Sequence, residues 1–267
     1  MTAGLTRGDA RDDLARVERI VRDAARLMTQ ADRAHLGTRL KTSRRDMVTA
    51  YDRAVQDRLV AALAADFPGV GFLCEEGGEL SQRDGVRFVI DPIDGTANFV
   101  HGTGVSAVSV GLVDGADPVL GVVYDPFSDE CYAAAAGHGA TRNGVALPQV
   151  EDVQLADALV CVGSSPYFPD LYQRTMDLLA RRAREFNDIR RDGSAACDCC
   201  YVADGRSGLF FEMSLAPWDF AAGALVAREC GAWVGTMEGA PLTYADRVSV
   251  LAGAPRAAEA FLKGEGH

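Results

Sequence analysis

Residues 86–99 read Val-Arg-Phe-Val-Ile-Asp-Pro-Ile-Asp-Gly-Thr-Ala-Asn-Phe, and they restrict the fold more than any other stretch. A strand-like run, Val86 to Ile90, leads into Asp91. Pro92 has no N–H to donate, so a ladder is expected to stop there. Asp94 follows three residues after Asp91, with Gly95 and Thr96 directly behind it. Two hard carboxylates at a strand end can share divalent cations such as Mg2+. Gly95 lets backbone approach a ligand closely, and a helix starting near Thr96 would present free N–H groups to a phosphate. A capped strand-to-helix turn accounts for the same residues without chemistry, and this stretch alone does not decide between the two.

Apolar spacing of three and four predicts a helix over 9–34, through Leu14, Val17, Ile20, Val21, Ala24, Leu27 and Met28. A second is expected over 49–65, with Val55, Leu59, Ala62 and Leu63 on one face and Phe67-Pro68-Gly69 stopping it. Strands are expected at 105–113 and 119–124, joined by an Asp114-Gly115 hairpin turn, and again at 131–135. Leu159 to Val162 begins a second half. Helices at 170–184, 194–203 and 217–230 follow, with short strands near 187–190, 208–212 and 248–253. Strands dominate the middle and helices flank them, so the class is mixed α and β with largely antiparallel pairing. There is no internal repeat or low-complexity linker. A single domain over 1–267 is expected, with a subdomain boundary admitted near 145–155.

The formal net charge of −11 speaks against a general nucleic-acid or anionic-membrane binder. It leaves a phosphate substrate open, because carboxylates holding divalent cations turn an acidic pocket into an anion site. No apolar run reaches the ~20 residues of a transmembrane helix. The start Met1-Thr2-Ala3-Gly4-Leu5 does not read as a secretory signal. The seven cysteines have mostly apolar neighbours, so reduced, buried thiols in a cytoplasm are expected. Cys197, Cys199 and Cys200 lack a second CxxC and His at ligand spacing (the four are His35, His101, His138 and His267), so structural zinc is not expected.

Three further acids stand in informative places. Glu75 and Glu76 lie between Cys74 and Gly77-Gly78, where a solvated turn is the plain explanation. Asp219 follows Pro217-Trp218 at an apolar helix start, where first-turn capping is the plain one. Asp52, in Val48-Thr49-Ala50-Tyr51-Asp52, sits in an amphipathic helix and would by default be exposed.

Taken together, these residues carry a resemblance. Asp91-Pro92-Ile93-Asp94-Gly95-Thr96-Ala97-Asn98-Phe99, continued by Val100-His101-Gly102, resembles the signature of the inositol monophosphatase family. Trp218-Asp219 with Ala222-Gly223 resembles that family's second signature, and Glu75-Glu76 and Thr49 with Asp52 fall in its order. The likeness runs from about Lys41 to Gly253.

The resemblance implies an α/β fold layered α-β-α-β-α with mostly antiparallel sheets, commonly in a homodimer. It implies an Mg2+-dependent, Li+-sensitive phosphomonoesterase using two or three ions. Glu75, Asp91 and the Ile93 carbonyl resemble ligands of the first ion, and Asp91, Asp94 and Asp219 ligands of the second. Glu75 resembles the anchor of a third. Thr96 and Asp52 resemble the pair that orients and deprotonates the attacking water. Gly95 and Thr96 resemble the phosphate cradle, and Gly193-Ser194-Ala195-Ala196 with Glu212 the polyol wall and hydroxyl acceptor. The chemistry agrees, because metal-assisted attack on a phosphate monoester leaves side chains mainly positioning and charge stabilisation. Glu212 favours inositol monophosphate or a similar polyol or sugar phosphate. Histidinol phosphatase, fructose-1,6-bisphosphatase and 3′-phosphoadenosine 5′-phosphate phosphatase share the metal core and stay open, as does a non-catalytic, protein-binding member. Gly163 to Phe168 departs from the family's usual form and could border the pocket or form a structural turn. His101 reads as structural or as a rim residue.

Overall fold

The computed structural model describes residues 10–40, 47–77 and 85–264; Met1–Leu5, Lys41, Gly78 and His267 lie outside them. Helix α1 (Ala10–Thr29) buries Val17, Ile20, Val21, Ala24 and Met28 on one face, at the spacing read from the sequence. It ends short of the expected residue 34. There the Asp32 N–H donates to the Tyr51 hydroxyl at 3.0 Å, and the Ala34 N–H donates to Asp32 Oδ1 at 3.0 Å. Side chains thus take the backbone groups that another helical turn would need. Strands β1 (Arg39–Leu40) and β2 (Met47–Val48) form a ribbon, and α2 (Ala50–Asp66) follows, capped by Thr49 and closed at Phe67.

A seven-stranded sheet comes next. It comprises β3 (Gly71–Cys74), β4 (Val86–Asp94), β5 (Ala107–Asp114), β6 (Asp117–Asp125), β7 (Glu130–Ala135), β8 (Ala140–Arg142) and β9 (Val145–Ala146), in that spatial order. Only β3 beside β4 is parallel. The short α3 (Thr96–His101) lies between β4 and β5. The expected stop at Pro92 is corrected: β4 runs on to Asp94, and its pairing with β5 steps from Asp91–Ser109 to Asp94–Ala107. Three steps on one strand against two on the other make a bulge, where a residue without an N–H is tolerated.

The second sheet holds β10 (Leu159–Val162), β11 (Asp188–Arg190), β12 (Leu209–Leu215), β13 (Trp233–Gly235) and β14 (Val248–Gly253). Its order is β11-β10-β12-β14-β13, with β10 parallel to both neighbours and the other two pairings antiparallel. Helices α4 (Pro169–Arg182), α5 (Ala195–Ala203), α6 (Pro217–Glu229) and α7 (Pro255–Gly264) complete the chain.

Period-two alternation sorts side chains into layers. Phe88, Ile90, Val108, Val110 and Val122 meet α1 and α2, whereas Val89, Val123, Tyr132 and Ala134 point to α5 and α6. From the second sheet, Cys161, Phe210, Val250 and Ala252 reach that same α5–α6 layer. Val160, Val162, Phe211 and Leu251 turn the other way, to Leu178 of α4 and Phe261 of α7. The stack is therefore α-β-α-β-α, as the resemblance implies. Small residues let α6 lie close in its middle. A Cβ at Gly121 would stand 2.8 Å from the Ala222 Cα, and one at Gly223 would stand 2.7 Å from the Ala196 carbonyl oxygen. This approach brings the first turn of α6, and with it Asp219, to the end of β4.

Candidate active site

Asp91 and Asp94 flank the β4 bulge, Glu75 follows directly on β3, and Asp219 comes from the first turn of α6. Asp91 is buried, and its Oδ1 accepts the Ile93 N–H at 2.9 Å. Burial pushes its carboxyl well above the usual carboxylate range, and the charges of Glu75, Asp94 and Asp219 push it further. Asp219 is raised by burial and then by Asp94 and Glu75, although its Oδ2 accepts the Ala216 N–H at 2.7 Å. Asp94 is pushed up to about 6 by burial, against the pull of its donors. Those donors are Ser194 Oγ at 2.6 Å and the Ala196 N–H at 2.8 Å, with the N–H groups of Ala195 and Gly95. Three buried acids with raised proton affinity, and Glu75 whose charge adds to the rise in Asp91 and Asp219, form a site short of positive charge. The donor set is hard oxygen throughout, which fits divalent cations of the Mg2+ type. Glu75, Asp91, Asp94, Asp219 and the Ile93 carbonyl are the residues able to hold them.

Asp52 is buried rather than exposed. Thr49 donates to its Oδ2 twice, from N–H at 2.7 Å and from Oγ1 at 2.6 Å. Oδ1 is left to the Thr96 hydroxyl at 3.2 Å, and Thr96 Oγ1 also stands 3.0 Å from the Ile93 carbonyl oxygen. Burial pushes Asp52 up to about 6, with Glu75 and Glu76 adding to the rise. Glu76 is fixed by its backbone to α2: its N–H donates to Gln56 Oε1 at 3.1 Å, and its carbonyl accepts from Arg53 at 3.0 Å.

Gly95 has φ 84°, a left-handed conformation that favours glycine, and a Cβ there would lie 2.9 Å from the Val105 carbonyl oxygen. The Phe99 N–H donates to the Gly95 carbonyl at 3.0 Å, so the N–H groups of Thr96, Ala97 and Asn98 precede the first turn's hydrogen bond. Asn98 Nδ2 donates to the carbonyls of Val105 at 2.8 Å and Asp192 at 2.7 Å, tying α3 to the loop before α5. His101 is exposed at the far end of α3.

Glu212 comes from β12 and is buried. Its Oε1 accepts Ser165 N–H at 2.7 Å and Ser165 Oγ at 3.1 Å, while a Cβ at Gly163 would fall 1.8 Å from Oε2. The 163–168 segment therefore holds the Glu212 carboxylate through Ser165. Burial pushes Glu212 up to about 7, although Ser165 and the Arg191 charge pull it down. Ser194 is buried and its hydroxyl is committed to Asp94. Sequence reasoning gave no role to Thr49, Asn98 or Ser165. Only Thr49 had a signal, the capping-box spacing to Asp52.

The chain matches the profile of the Inositol monophosphatase family over residues 10–264. It is 33% identical to an inositol-1-monophosphatase of Bacillus subtilis, over 88% of this chain and 89% of that one. It is 37% identical to the Nus factor SuhB of Escherichia coli K12, over 81% of each chain. The crystal structure of the extragenic suppressor protein suhB from Bartonella henselae superposes with a TM-score of 0.87 at 32% identity, covering 96% of this chain and 98% of that one. The layered fold, the acids of β4 and these likenesses agree: the chain belongs to the inositol monophosphatase family and is a phosphomonoesterase.

Proposed function

We propose that the chain hydrolyses inositol monophosphate, or a polyol or sugar phosphate like it, to the alcohol and inorganic phosphate. The observation that carries this reading is the Thr96–Asp52 pair set beside the four acids. Two or three Mg2+ ions, when bound, would neutralise the phosphate dianion and lower the pKa of water. Thr96 orients the attacking water through its hydroxyl. Asp52, a carboxylate at neutral pH, takes the proton through Oδ1. The open N–H groups at the start of α3 hold phosphate oxygens, with Gly95 allowing the approach. Asp94 and Asp219 border the same substrate. Ser194 acts through Asp94, and Ala195 helps to shape the wall. Glu212, oriented by Ser165, accepts hydrogen bonds from the alcohol's hydroxyls, which favours a polyol.

The reading extends to one catalytic domain over 1–267, a homodimer, inhibition by Li+ and a cytoplasmic setting without nucleic-acid or membrane partners. The net charge of −11 supports the last point. Among the described residues no helix is long and apolar enough to cross a membrane. A second reading, action through a protein surface, draws on the relative named Nus factor SuhB. The intact acid set favours hydrolysis.

Phosphate release with Mg2+ tests both readings. The substrates are inositol 1-phosphate, histidinol phosphate, fructose 1,6-bisphosphate and 3′-phosphoadenosine 5′-phosphate, each with and without EDTA and Li+. EDTA-sensitive release led by inositol 1-phosphate supports the proposal. Another leader moves the substrate. No release from any ester by folded, Mg2+-loaded protein overturns the catalytic reading in favour of the second.

A further inference from the structure

A second set of ligand atoms meets behind the Gly193–Ala196 wall, and it shares no residue with the acids of β4. Cys161 lies within β10 on the side facing α5, Asp192 follows β11, and Asp198 is on α5. One ligand atom from each lies within 4.8 Å of the other two. Asp198 is only 1% exposed, and its Oδ1 has no hydrogen-bond partner among the described residues. An unpaired carboxylate oxygen in that position is strongly unfavourable unless something else engages it.

The spacing indicates what that something is. Cys161 Sγ stands 3.6 Å from Asp192 Oδ2. In tetrahedral zinc coordination, with Zn–S about 2.3 Å and Zn–O about 2.0 Å, the sulfur–oxygen edge is roughly 3.5 Å. The pair already stands at ligand separation. Asp192 is half-buried, which leaves a way in from solvent. Arg190 is close enough for its charge to interact with those of Asp192 and Cys161, offsetting part of the negative charge of the ligand set.

We propose that Cys161, Asp192 and Asp198 form a site for a first-row transition ion of the Zn2+ type, separate from the hydrolytic cations. The thiolate selects a borderline ion over Mg2+. Burial pushes the Cys161 thiol well up, and the Asp198 charge adds to this. The ion must therefore displace the thiol proton, and binding strengthens as pH rises. Its role is structural. The Asp192 carbonyl already anchors Asn98, and Ser194 two residues on donates to Asp94, so fixing Asp192 fixes the wall of the pocket.

The test is a Co2+ titration of the full chain, stripped with EDTA and then held in saturating Mg2+. Co2+ bound by thiolate gives a near-ultraviolet charge-transfer band that all-oxygen ligation cannot give. The expected result is a band saturating at a single equivalent, displaced by Zn2+, and absent in Cys161→Ser. Asp192→Asn, at a half-buried position, should weaken the apparent affinity about 10–100-fold. No band in folded wild-type protein, a band that survives Cys161→Ser, or an unchanged midpoint in Asp192→Asn would each overturn the site. If Cys161→Ser does not fold, Asp192→Asn still decides. Phosphatase activity is not the readout, so failure here is distinguishable from failure of the hydrolytic reading.

Discussion

Thr96 Oγ1 lies 3.2 Å from Asp52 Oδ1, and Thr49 occupies the other oxygen of that carboxylate. Helix α2 thus holds a carboxylate with one oxygen fixed by Thr49 and the other facing one hydroxyl. Thr96→Ala should lower kcat about 10²–10⁴-fold, the range for losing general acid–base work, and change KM by only a few-fold. Steady-state kinetics on inositol 1-phosphate gives the answer. A raised KM with kcat unchanged would make Thr96 a binding residue only.

Burial raises the proton affinity of both Asp91 and Asp219, and the nearby charges of Asp94 and Glu75 add to it in each. Asp91→Asn or Asp219→Asn should abolish nearly all turnover while the protein stays folded. In EDTA each variant should melt above the wild type, since one buried charge is gone. In Mg2+ that order should reverse, because the wild type gains more from the ions. Melting curves in the two conditions test this. A fully active, folded variant would refute the ligand assignment.

Glu212 has its carboxyl raised from 4.5 to about 7, mainly by burial. The folded state therefore holds this proton more tightly than the unfolded one. The stability it contributes is complete below about pH 4.5 and is lost as pH rises through about 7. Glu212→Gln cannot ionise, so it should remove that loss, of order 1–3 kcal/mol between about pH 5 and about pH 9. Urea melts across that range check the sign. The same variant should weaken turnover of polyol phosphates more than of a plain aryl phosphate.

Gly121 supports the backbone of α6, where a Cβ would come within 2.8 Å of the Ala222 Cα. Gly121→Val should destabilise the fold by about 1–3 kcal/mol or more, as overpacking does. It should also lower activity in the molecules that remain folded, since the shift is carried along α6 to Asp219. A variant of unchanged stability would show that α6 can retreat from the sheet.

Much of the fold was legible from its apolar runs. The 3.6-residue spacing of α1 and the near-continuous apolar stretches of β4 to β7, which are buried on both faces, are visible without coordinates. Strand β13 spans only Trp233–Gly235, too few residues to establish a period. Helix α7 was passed over, although Ala257, Ala258 and Phe261 are its buried positions at helical spacing. The acids of β4 and α6 could be read through their motifs. The burial of Asp52 and Glu212 could not, because polar residues gain an inward position only from distant partners, here Thr96 and Ser165. Cys161, Asp192 and Asp198 come from three elements, and such a grouping leaves no local signature.

The five-layer stack has a consequence for how this cleft can diversify. Asp91 and Asp94 belong to the seven-stranded sheet, whereas Glu212, with Ser165 behind it, belongs to the five-stranded one. On the proposed function one sheet would carry the phosphate end and the other the alcohol end, with α5 and α6 as a common spacer. Loops of the second sheet can then be rewritten to suit a new alcohol while the hydrolytic end keeps its geometry. In this architecture the chemistry and the choice of substrate are inherited from separate supports.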